Sequence, residues 1–343
     1  MQKLISIITP TYNYGHLIHR LFDSILQQTY NDIEMIIIDD GSADNTKQVI
    51  DEYNEKFIER GFSLNYLYQK NQKQAVAINN GLKLIKGDYL VWPDADDWYA
   101  EPDALEIMAT ALDGTNNETS CCRSLAYFLD EKLNIIGSTK HSIPDQLFMD
   151  CLLTRNFTYT PGFTMLKTSV LFHEIDNRTI YTGSVEKNYF GQNWQLLLPV
   201  FYNYKCITID KYLFNIYVNE NSDSRKNYSY EEQLEKNQMY CDALESVLKG
   251  IKNMSNKRKI DLIHKTKNKY NKNELLIHFY FGNKNGVRRS YKKMVSNHML
   301  ISLNVKLRYV LSFVPLGYTG WKILRTVKYH MCDINFKEFR LGK

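Results

Sequence analysis

Several features that are common in proteins are missing from this chain of 343 residues, and each absence excludes a class. No apolar run reaches the roughly 18–20 residues that a transmembrane helix needs, and candidates such as Tyr309–Leu316 are far shorter. The six cysteines form no C-x-x-C pair and no zinc-ligand spacing, so we expect reduced thiols rather than disulfides or structural zinc. The N-terminus carries no secretory signal pattern. We therefore expect a cytoplasmic protein, either soluble or peripheral at the inner face of the cell membrane.

The chain also lacks internal repeats, low-complexity linkers and a glycine-rich, basic loop after its first strand pattern. Such loops cradle phosphates at helix N-termini, and a nucleotidyltransferase would normally have one there. This chain has PTYNYG at 10–15 instead. The absence argues against a nucleotidyltransferase, although that class also uses acidic metal ligands.

Charge is unevenly divided along the chain. Residues 1–224 hold 18 Lys and Arg against 29 Asp and Glu, whereas residues 225–343 hold 25 against 9. Such an asymmetry predicts two functional regions, the basic one facing phosphates, nucleic acid or an anionic membrane. Basic residues interleaved with aromatics at 305–327 suit a helix on anionic lipid, and an ordinary helical subdomain is the alternative. No nucleic-acid-binding module is recognisable, so we expect no nucleic-acid partner.

The first hundred residues alternate between strand and helix patterns. Short apolar runs predict strands at Leu4–Thr9, Ile33–Ile38, Leu64–Tyr68 and Tyr89–Trp92. Helical spacing predicts helices at Leu17–Gln28, Thr46–Glu59 and Gln74–Ile85, with Asp44 as the N-cap of the second. Near-continuous apolar strands between helices indicate a Rossmann-like α/β fold, with a mostly parallel central sheet flanked by helices. Ligands of such sheets bind beyond the carboxyl ends of the strands.

The rest of the chain has a mixed pattern and then a helical one. Strands are predicted at Arg123–Leu129, Lys205–Ile209 and Tyr212–Tyr217, with a helix at Trp194–Tyr202. Helices are predicted at Glu231–Leu248, Lys257–Tyr270 and Asn273–Phe281. Residues 225–343 are therefore expected to form a basic, mainly helical C-terminal region.

The most informative segment is YLVWPDADDW at 89–98, an apolar run that ends in Asp94, Asp96 and Asp97. Three carboxylates in four positions repel one another unless their tip reaches solvent or a cation lies between them. A divalent ion that is held by one or two carboxylates and by substrate phosphates fits this arrangement. A solvated acidic turn that caps a helix starting near Glu101 is the alternative.

Polar residues also follow the first two strand patterns. Pro10 ends the first strand, and Tyr12 could present its ring to a planar base, with an ordinary strand-to-helix turn as the alternative. Asp39 and Asp40 follow the second strand. An Asp there could accept from the imide N–H of uracil, and the rival role is an N-cap or an Asx turn.

Three segments together, PTYN at 10–13, DDGS at 39–42 and DADDW at 94–98, have the order and spacing of a known family. The chain resembles the family 2 glycosyltransferases, which have the A-type nucleotide-sugar-binding (GT-A) fold. AINNG at 77–81 is similar to the family's A-R-N-x-G helix, and GQNW at 191–194 is similar to its G-E-D-W. The resemblance implies a catalytic domain at 1–224, with a nucleotide-sugar-binding half at 1–112 and an acceptor half at 113–224.

The resemblance implies a role for each matching position. The residues expected to line the nucleotide pocket are Pro10, Tyr12, Asp40, Asn79 and Asp94. Asp94 and Asp96 would hold Mg²⁺ or Mn²⁺, which stabilises the charge that develops on the leaving phosphate. The implied reaction is inverting transfer of a sugar from a nucleotide-sugar donor, expected to be UDP-linked, to a hydroxyl of a glycan or lipid-linked acceptor. Bacterial surface polysaccharide synthesis is the usual context.

The chain departs from the family pattern where the general base is expected. Gln192 and Asn193 replace the two acids of G-E-D-W, and an amide cannot accept a proton at neutral pH. Three explanations stay open. Another carboxylate, such as Glu186 or Asp97, is the base; or the amides, including Asn193, orient the acceptor or the donor; or the enzyme is impaired. The third would make the chain a non-catalytic nucleotide-sugar or glycan-binding protein.

Overall fold

The computed structural model describes residues 2–140, 147–153, 161–175, 180, 191–218 and 228–314. The chain divides into two compact units, which are Met1–Glu220 with Ile251–Asn253, and Asn221–Gly250 with Met254–Lys343. The described strands all belong to the first unit, and the described part of the second unit is helical. The domain boundary expected at residue 224 stays a prediction.

The amino-terminal half of the first unit alternates strands with helices, as the hydrophobic pattern predicts. The strands are β1 (Ile5–Thr11), β2 (Ile33–Asp39), β3 (Ser63–Tyr68) and β4 (Tyr89–Val91), and the helices are α1 (Ile18–Leu26), α2 (Thr46–Glu59) and α3 (Gln74–Leu84). Every predicted element is confirmed to within two residues at either end. Strand β2 is buried along its whole length, as a strand covered on both faces should be.

One helix start differs from the prediction. The N-cap of α2 is Asn45 rather than Asp44. The Asp44 carboxylate still accepts from the backbone N–H groups of Thr46 (3.0 Å) and Gly15 (3.1 Å). Asp44 therefore stabilises the first turn of α2 from one position earlier than expected, and it also holds the loop that follows β1.

The described strands form one sheet in the order β3-β2-β1-β4-β8-β6-β9-β5, with β7 paired to β6. The further strands are β5 (Trp98–Tyr99), β6 (Thr119–Leu129), β7 (Ile135–Ser138), β8 (Thr164–Lys167) and β9 (Lys205–Tyr217). Strands β3, β2, β1 and β4 are parallel, whereas β8 is antiparallel to both β4 and β6. Further helices of this unit are α4 (Ala104–Leu112), α5 (Leu147–Leu153), α6 (Thr168–Glu174) and α7 (Gln192–Asn203).

The separate strands predicted at Lys205–Ile209 and Tyr212–Tyr217 are wrong, because the two segments form the single strand β9. The polar pair at 210–211 interrupts the apolar pattern and suggested a turn. In the structure this pair lies where the pairing register between β6 and β9 shifts, between Arg123 and Leu125 of β6. An irregularity of this kind lets a strand carry extra residues without ending.

Helix α3 packs closely onto the centre of the sheet. A Cβ atom at Gly81 would lie 2.6 Å from Ile8 Cγ2 of β1, so only glycine lets the helix come this near. The glycine that the family pattern A-R-N-x-G places here is thus explained by packing. This close packing fixes the position of α3, whose first turn lies beside the ends of the strands.

The second unit contains the helices α8 (Tyr230–Gly250), α9 (Asn256–Tyr280), α10 (Lys284–Ser296) and α11 (Leu303–Leu311). The separate helices predicted at Lys257–Tyr270 and Asn273–Phe281 are wrong, since α9 is continuous. Asn271, which suggested a break, is buried within the helix. A small core joins α9, α10 and α11 through Leu275, Phe279, Val287, Met294 and Val305. No described helix is both long enough and apolar enough to cross a membrane.

Candidate active site

Three loops lie at one edge of the sheet, where β1, β2 and β4 end. These strands are parallel neighbours, and the register pairs Thr11 of β1 with Asp39 of β2. The Asn13 N–H donates to Ser42 Oγ (2.9 Å), and the Ala43 N–H donates to Asn13 Oδ1 (2.8 Å). The PTYN and DDGS segments are therefore bonded to each other at the edge where a parallel sheet binds its ligands.

Tyr12 is an exposed aromatic residue of this edge, with 48% of its surface accessible, as is Tyr68 at the end of β3, with 58%. Pro10 is half-buried, and the expectation that it ends the first strand is wrong, because β1 continues to Thr11, which is paired with Asp39. An exposed ring can stack on any planar base, because every base has a π face. The nucleotide-binding roles of Pro10 and Tyr12 stay predictions, and the exposure of Tyr12 fits them.

Asp39, the first acid after β2, has a structural task. Its Oδ1 accepts from the Ser42 N–H and its Oδ2 accepts from the Tyr66 hydroxyl, both at 2.8 Å. Burial, followed by this bond to Asp39, raises the pKa of Tyr66 well above its ordinary value. Asp39 therefore closes the turn after β2, which is the Asx-type role that the sequence left open for one of the two acids.

Asp40, the second acid, is buried and organises the loop before α3. Its Oδ1 accepts from Gln69 Nε2 and from the Gln72 N–H, both at 2.7 Å, and its Oδ2 accepts from the Lys73 N–H at 2.8 Å. A carboxylate offers about four lone-pair positions, so one position on Oδ2 remains for an imide N–H. The contact of Asp40 with a base stays a prediction, and this count is compatible with it.

The loop that Asp40 holds contains a strained residue. Lys73 has φ 74° and ψ 165°, a region that residues with a side chain rarely adopt and that costs about 1–3 kcal/mol. Its N–H is one of the groups bonded to Asp40, and the next residue, Gln74, begins α3. The Asp40 carboxylate therefore helps to hold a backbone conformation that sets the start of α3.

Asp94 lies just beyond β4, and Asp96 is close enough to affect its charge. Asp94 keeps part of its surface exposed, yet burial and then the charge of Asp96 raise its pKa to about 7, while a bond from Gln74 Nε2 (3.0 Å) lowers it. A divalent cation would relieve such repulsion. Among the described residues, no group of three or more His, Cys, Asp or Glu side chains is arranged to hold a metal. A cation bound by this pair would need further ligands from a diphosphate.

Asn79 is buried on α3, and both ends of its amide are bonded within the protein. Its Nδ2 donates to the carbonyl oxygen of Ile180, and its Oδ1 accepts from the Ile180 N–H, both at 2.8 Å. This pair of bonds attaches a distant segment to the helix. Contact of Asn79 with a nucleotide stays a prediction; the role that the structure shows is to anchor residue 180.

Asp97 is buried, with 3% of its surface exposed. Its Oδ1 accepts from the N–H of Tyr217 at the end of β9 (2.8 Å). The alternative that the acidic turn caps a helix starting near Glu101 is wrong, because α4 starts at Ala104 with Asp103 as its N-cap. The chain forms the short strand β5 in between. Asp97 as a general base stays a prediction.

The two amides that replace the family's acids begin α7; one contacts the strand end before the acidic tip, and the other contacts the first residue of α3. Asn193 Oδ1 accepts from the indole Nε1–H of the buried Trp92 (2.9 Å). Gln192 Nε2 donates to Gln74 Oε1 (2.5 Å). Glu186, the other candidate base, lies outside the described residues.

Gln69 and Gln74 contact the candidate site carboxylates, and the sequence patterns do not single them out. Gln69 bonds to Asp40, and Gln74 bonds to Asp94. Neither belongs to a recognisable motif, and the residue type alone does not mark a Gln as functional. The sequence signal that could have found them is the strand-to-helix position itself, because residues there face the ligand edge.

Residues 6–172 match the family model for glycosyl transferase family 2. This part of the chain belongs to that family. An uncharacterized glycosyltransferase of Rickettsia prowazekii is 32% identical over 177 residues, which is 50% of this chain and 52% of the relative. The chain thus spans about half the length of that relative.

Solved structures show the same fold. Staphylococcus aureus TarS in complex with UDP-GlcNAc matches with a TM-score of 0.55 and 17% identity, over 90% of this chain and 79% of TarS. The mannosyltransferase PcManGT of Pyrobaculum calidifontis, in complex with GDP-Man and Mn²⁺, matches with a TM-score of 0.51 and 15% identity, over 97% of this chain and 88% of PcManGT. At these identities the likeness shows the GT-A fold alone.

Proposed function

We propose that this glycosyltransferase moves a sugar, with inversion, from a UDP-linked donor to a hydroxyl of a glycan or lipid-linked acceptor, and that it acts in bacterial surface polysaccharide synthesis. The observation that carries the proposal is the carboxylate pair Asp94 and Asp96 at the ends of the parallel strands, on the same edge as the exposed ring of Tyr12. The ring of Tyr12 suits a nucleobase, and the carboxylate pair suits a cation that binds the diphosphate. The fold neighbours TarS and PcManGT, which bind nucleotide sugars, support a donor of that class.

The residues present fit a divalent cation. Repulsion from Asp96 contributes to the raised pKa of Asp94, and carboxylate oxygens are the ligands that Mg²⁺ and Mn²⁺ prefer. We assign the cation to Asp94 and Asp96, where it would act as a Lewis acid on the donor diphosphate. Tyr12 stacks on the nucleobase and Asp40 accepts a hydrogen bond from it. The donor is thus held at its base by these two residues and at its diphosphate by the cation.

The general base is a choice between Asp97 and Glu186. A base must come within hydrogen-bond reach of the acceptor hydroxyl, and the carboxylate of Asp97 is buried and bonded to the Tyr217 N–H. This arrangement weighs against Asp97, so Glu186 is the candidate to test first. Asn193 takes no proton; its bond to Trp92 supports the segment that carries the acids.

A peripheral membrane site is part of the proposal, because lipid-linked acceptors lie at membranes. Helix α11 exposes Leu303, Leu307 and Val310, with Lys306 exposed between them. Apolar and basic side chains on one short helix suit the interface of an anionic bilayer. We expect sedimentation with vesicles containing phosphatidylglycerol, weakened by salt, and none with pure phosphatidylcholine. Equal binding to both, or to neither, would remove this part of the proposal.

A thermal-shift screen tests the donor assignment. The protein is scanned with UDP-, GDP- and dTDP-sugars in the presence of Mn²⁺, and each scan is repeated in EDTA. We expect a rise in Tm with UDP-sugars that depends on the metal, because a ligand that binds only the folded state stabilises it. A shift with GDP-sugars alone would show that the donor carries guanine rather than uracil. No shift with any nucleotide sugar would contradict the proposal.

A second candidate function is a non-catalytic nucleotide-sugar or glycan-binding protein. The observation that favours it is that the amides of Gln192 and Asn193 stand at the family's acid positions and are bonded inside the protein. This candidate predicts the same metal-dependent thermal shift as the enzyme. It differs in predicting no release of UDP with any acceptor pool.

A further inference from the structure

A chain of amide groups ends at the carboxylate of Asp94. Gln192 Nε2 donates to Gln74 Oε1 (2.5 Å), and Gln74 Nε2 donates to Asp94 Oδ1 (3.0 Å). Gln192 is buried at the start of α7, and Gln74 is the first residue of α3. Side-chain hydrogen bonds thus connect α7 to α3, and α3 to the carboxylate of Asp94 in the loop after β4.

The direction of this chain follows from the chemistry of its end. When Asp94 holds the metal of the proposed function it is ionised, and an ionised carboxylate only accepts hydrogen bonds, so the NH₂ of Gln74 then faces Asp94. The carbonyl oxygen of Gln74 then faces Gln192, and the group that meets it must be a donor. The amide of Gln192 supplies that donor at neutral pH, whereas an ionised Glu at this position could not.

We propose that Gln192 and Gln74 are positioning residues that hold Asp94 toward the nucleotide-sugar and its metal, and that this task explains the amide at position 192 where the family has an acid. The inference rests on the proposed function, which places the donor at Asp94. A Glu at 192 would attract the NH₂ of Gln74. The Gln74 amide would then turn, and its carbonyl oxygen would face the carboxylate of Asp94.

A second amide chain in the same site follows the same rule. Asn80 Nδ2 donates to Gln69 Oε1, and Gln69 Nε2 donates to Asp40 Oδ1, both at 2.7 Å. The proposed function assigns Asp40 to the nucleoside, and it assigns Asp94, together with Asp96, to the metal. Asp40 and Asp94 are therefore each oriented by a glutamine whose own carbonyl accepts from a further amide.

Asn193, the other amide at a family acid position, also connects α7 to the segment that carries Asp94. Asn193 accepts from the indole of Trp92, two residues before Asp94. The start of α7 is thus attached to the acidic tip at two points, directly at Trp92 and through Gln74 at Asp94. In this chain the start of α7 supports the donor side of the site.

The test compares Gln192→Glu, Gln192→Ala, Gln74→Ala and the double alanine variant. UDP binding is measured by calorimetry in Mn²⁺, and the donor KM and kcat are measured where turnover is found. We expect Gln74→Ala to weaken UDP binding about tenfold, the usual effect of losing a hydrogen bond to a charged group. Gln192→Glu should weaken it at least threefold, and the double variant should be no weaker than Gln74→Ala alone, because one chain is broken only once.

The expected kinetic effect is a raised donor KM, with kcat at saturating donor changed less than threefold. Gln27→Glu is the matched control, since Gln27 is exposed at the end of α1, which is the opposite end of that helix from the β1–α1 loop. Thermal unfolding of each variant reports whether it folds. If Gln192→Ala does not fold, Gln192→Glu still tests the inference, because Glu and Gln have nearly the same size.

Three results would overturn the inference. If Gln192→Glu binds UDP as the parent does and turns over faster, position 192 is an acid site rather than a positioning site. If the parent binds UDP and all variants bind it equally, the positioning role fails while the proposed function stands. If the parent binds neither UDP nor GDP in Mn²⁺, the proposed function fails and the inference fails with it.

Discussion

Replacing Asp40 by Asn tests how this site is built, because the two side chains have the same shape. The carboxylate accepts from Gln69 Nε2, from the Gln72 N–H and from the Lys73 N–H at 2.7–2.8 Å. The Asn oxygen can keep the first two bonds, but its NH₂ then faces the Lys73 N–H, and two donors meet. A buried N–H that loses its partner costs about 1–3 kcal/mol.

The expected loss of unfolding free energy in Asp40→Asn is about 2 kcal/mol. For a unit of this size that corresponds to a fall in Tm of about 4–8 °C. The strained residue Lys73 loses one of its restraints, so amide exchange at 72–74 should rise more than exchange in β2. Calorimetric unfolding measures the first effect, and hydrogen–deuterium exchange measures the second.

Asp51→Asn is the matched control, because Asp51 is exposed and forms an ion pair with Lys47 one turn away on α2. An exposed pair of this kind contributes about 0.3–0.5 kcal/mol. If Asp40→Asn unfolds at the temperature of the parent protein, or if exchange at 72–74 does not change, the three bonds do not hold the loop and the reasoning is refuted.

Three further substitutions test single residues. Tyr12→Ala should weaken UDP binding by about 1–3 kcal/mol while Tyr12→Phe keeps it, because stacking needs the ring and not the hydroxyl; equal losses by calorimetry would exclude stacking. Asn79→Ala should lower the free energy of unfolding by about 2–3 kcal/mol, since the N–H and carbonyl of Ile180 lose their partners; an unchanged denaturant midpoint would contradict this. Glu186→Gln should lower kcat by about 10²–10⁴, the usual contribution of a general base, whereas Asp97→Asn should lower it less than tenfold; the reverse order in steady-state assays would make Asp97 the base.

The hydrophobic pattern was enough to place β1 to β4 and the helices between them. Strand β2 is buried on both faces, so its residues are apolar without interruption and the signal is local. Where the pattern misled, a polar residue was tolerated for a tertiary reason. The pair at 210–211 lies at a shift of the β6–β9 register, and Asn271 is buried in the middle of α9.

The candidate site was only half visible in the sequence. Asp94, Asp96 and Tyr12 were found because they stand in short contiguous motifs. Gln74 and Gln192 were not paired, because they are 118 residues apart and meet only when α3 and α7 are folded. The strained backbone of Lys73 also depends on a distant group, the carboxylate of Asp40. Long-range polar bonds of this kind leave no local pattern.

The central claim is that Asp94 and Asp96 hold a metal that a nucleotide-sugar donor needs. Release of UDP from UDP-GlcNAc, UDP-glucose and UDP-galactose, measured with Mn²⁺ and again with EDTA, tests it most directly. We predict release with at least one donor, abolished by EDTA and lowered at least a hundredfold in Asp96→Ala. Release that persists in EDTA, or that is unchanged in Asp96→Ala, would contradict the claim.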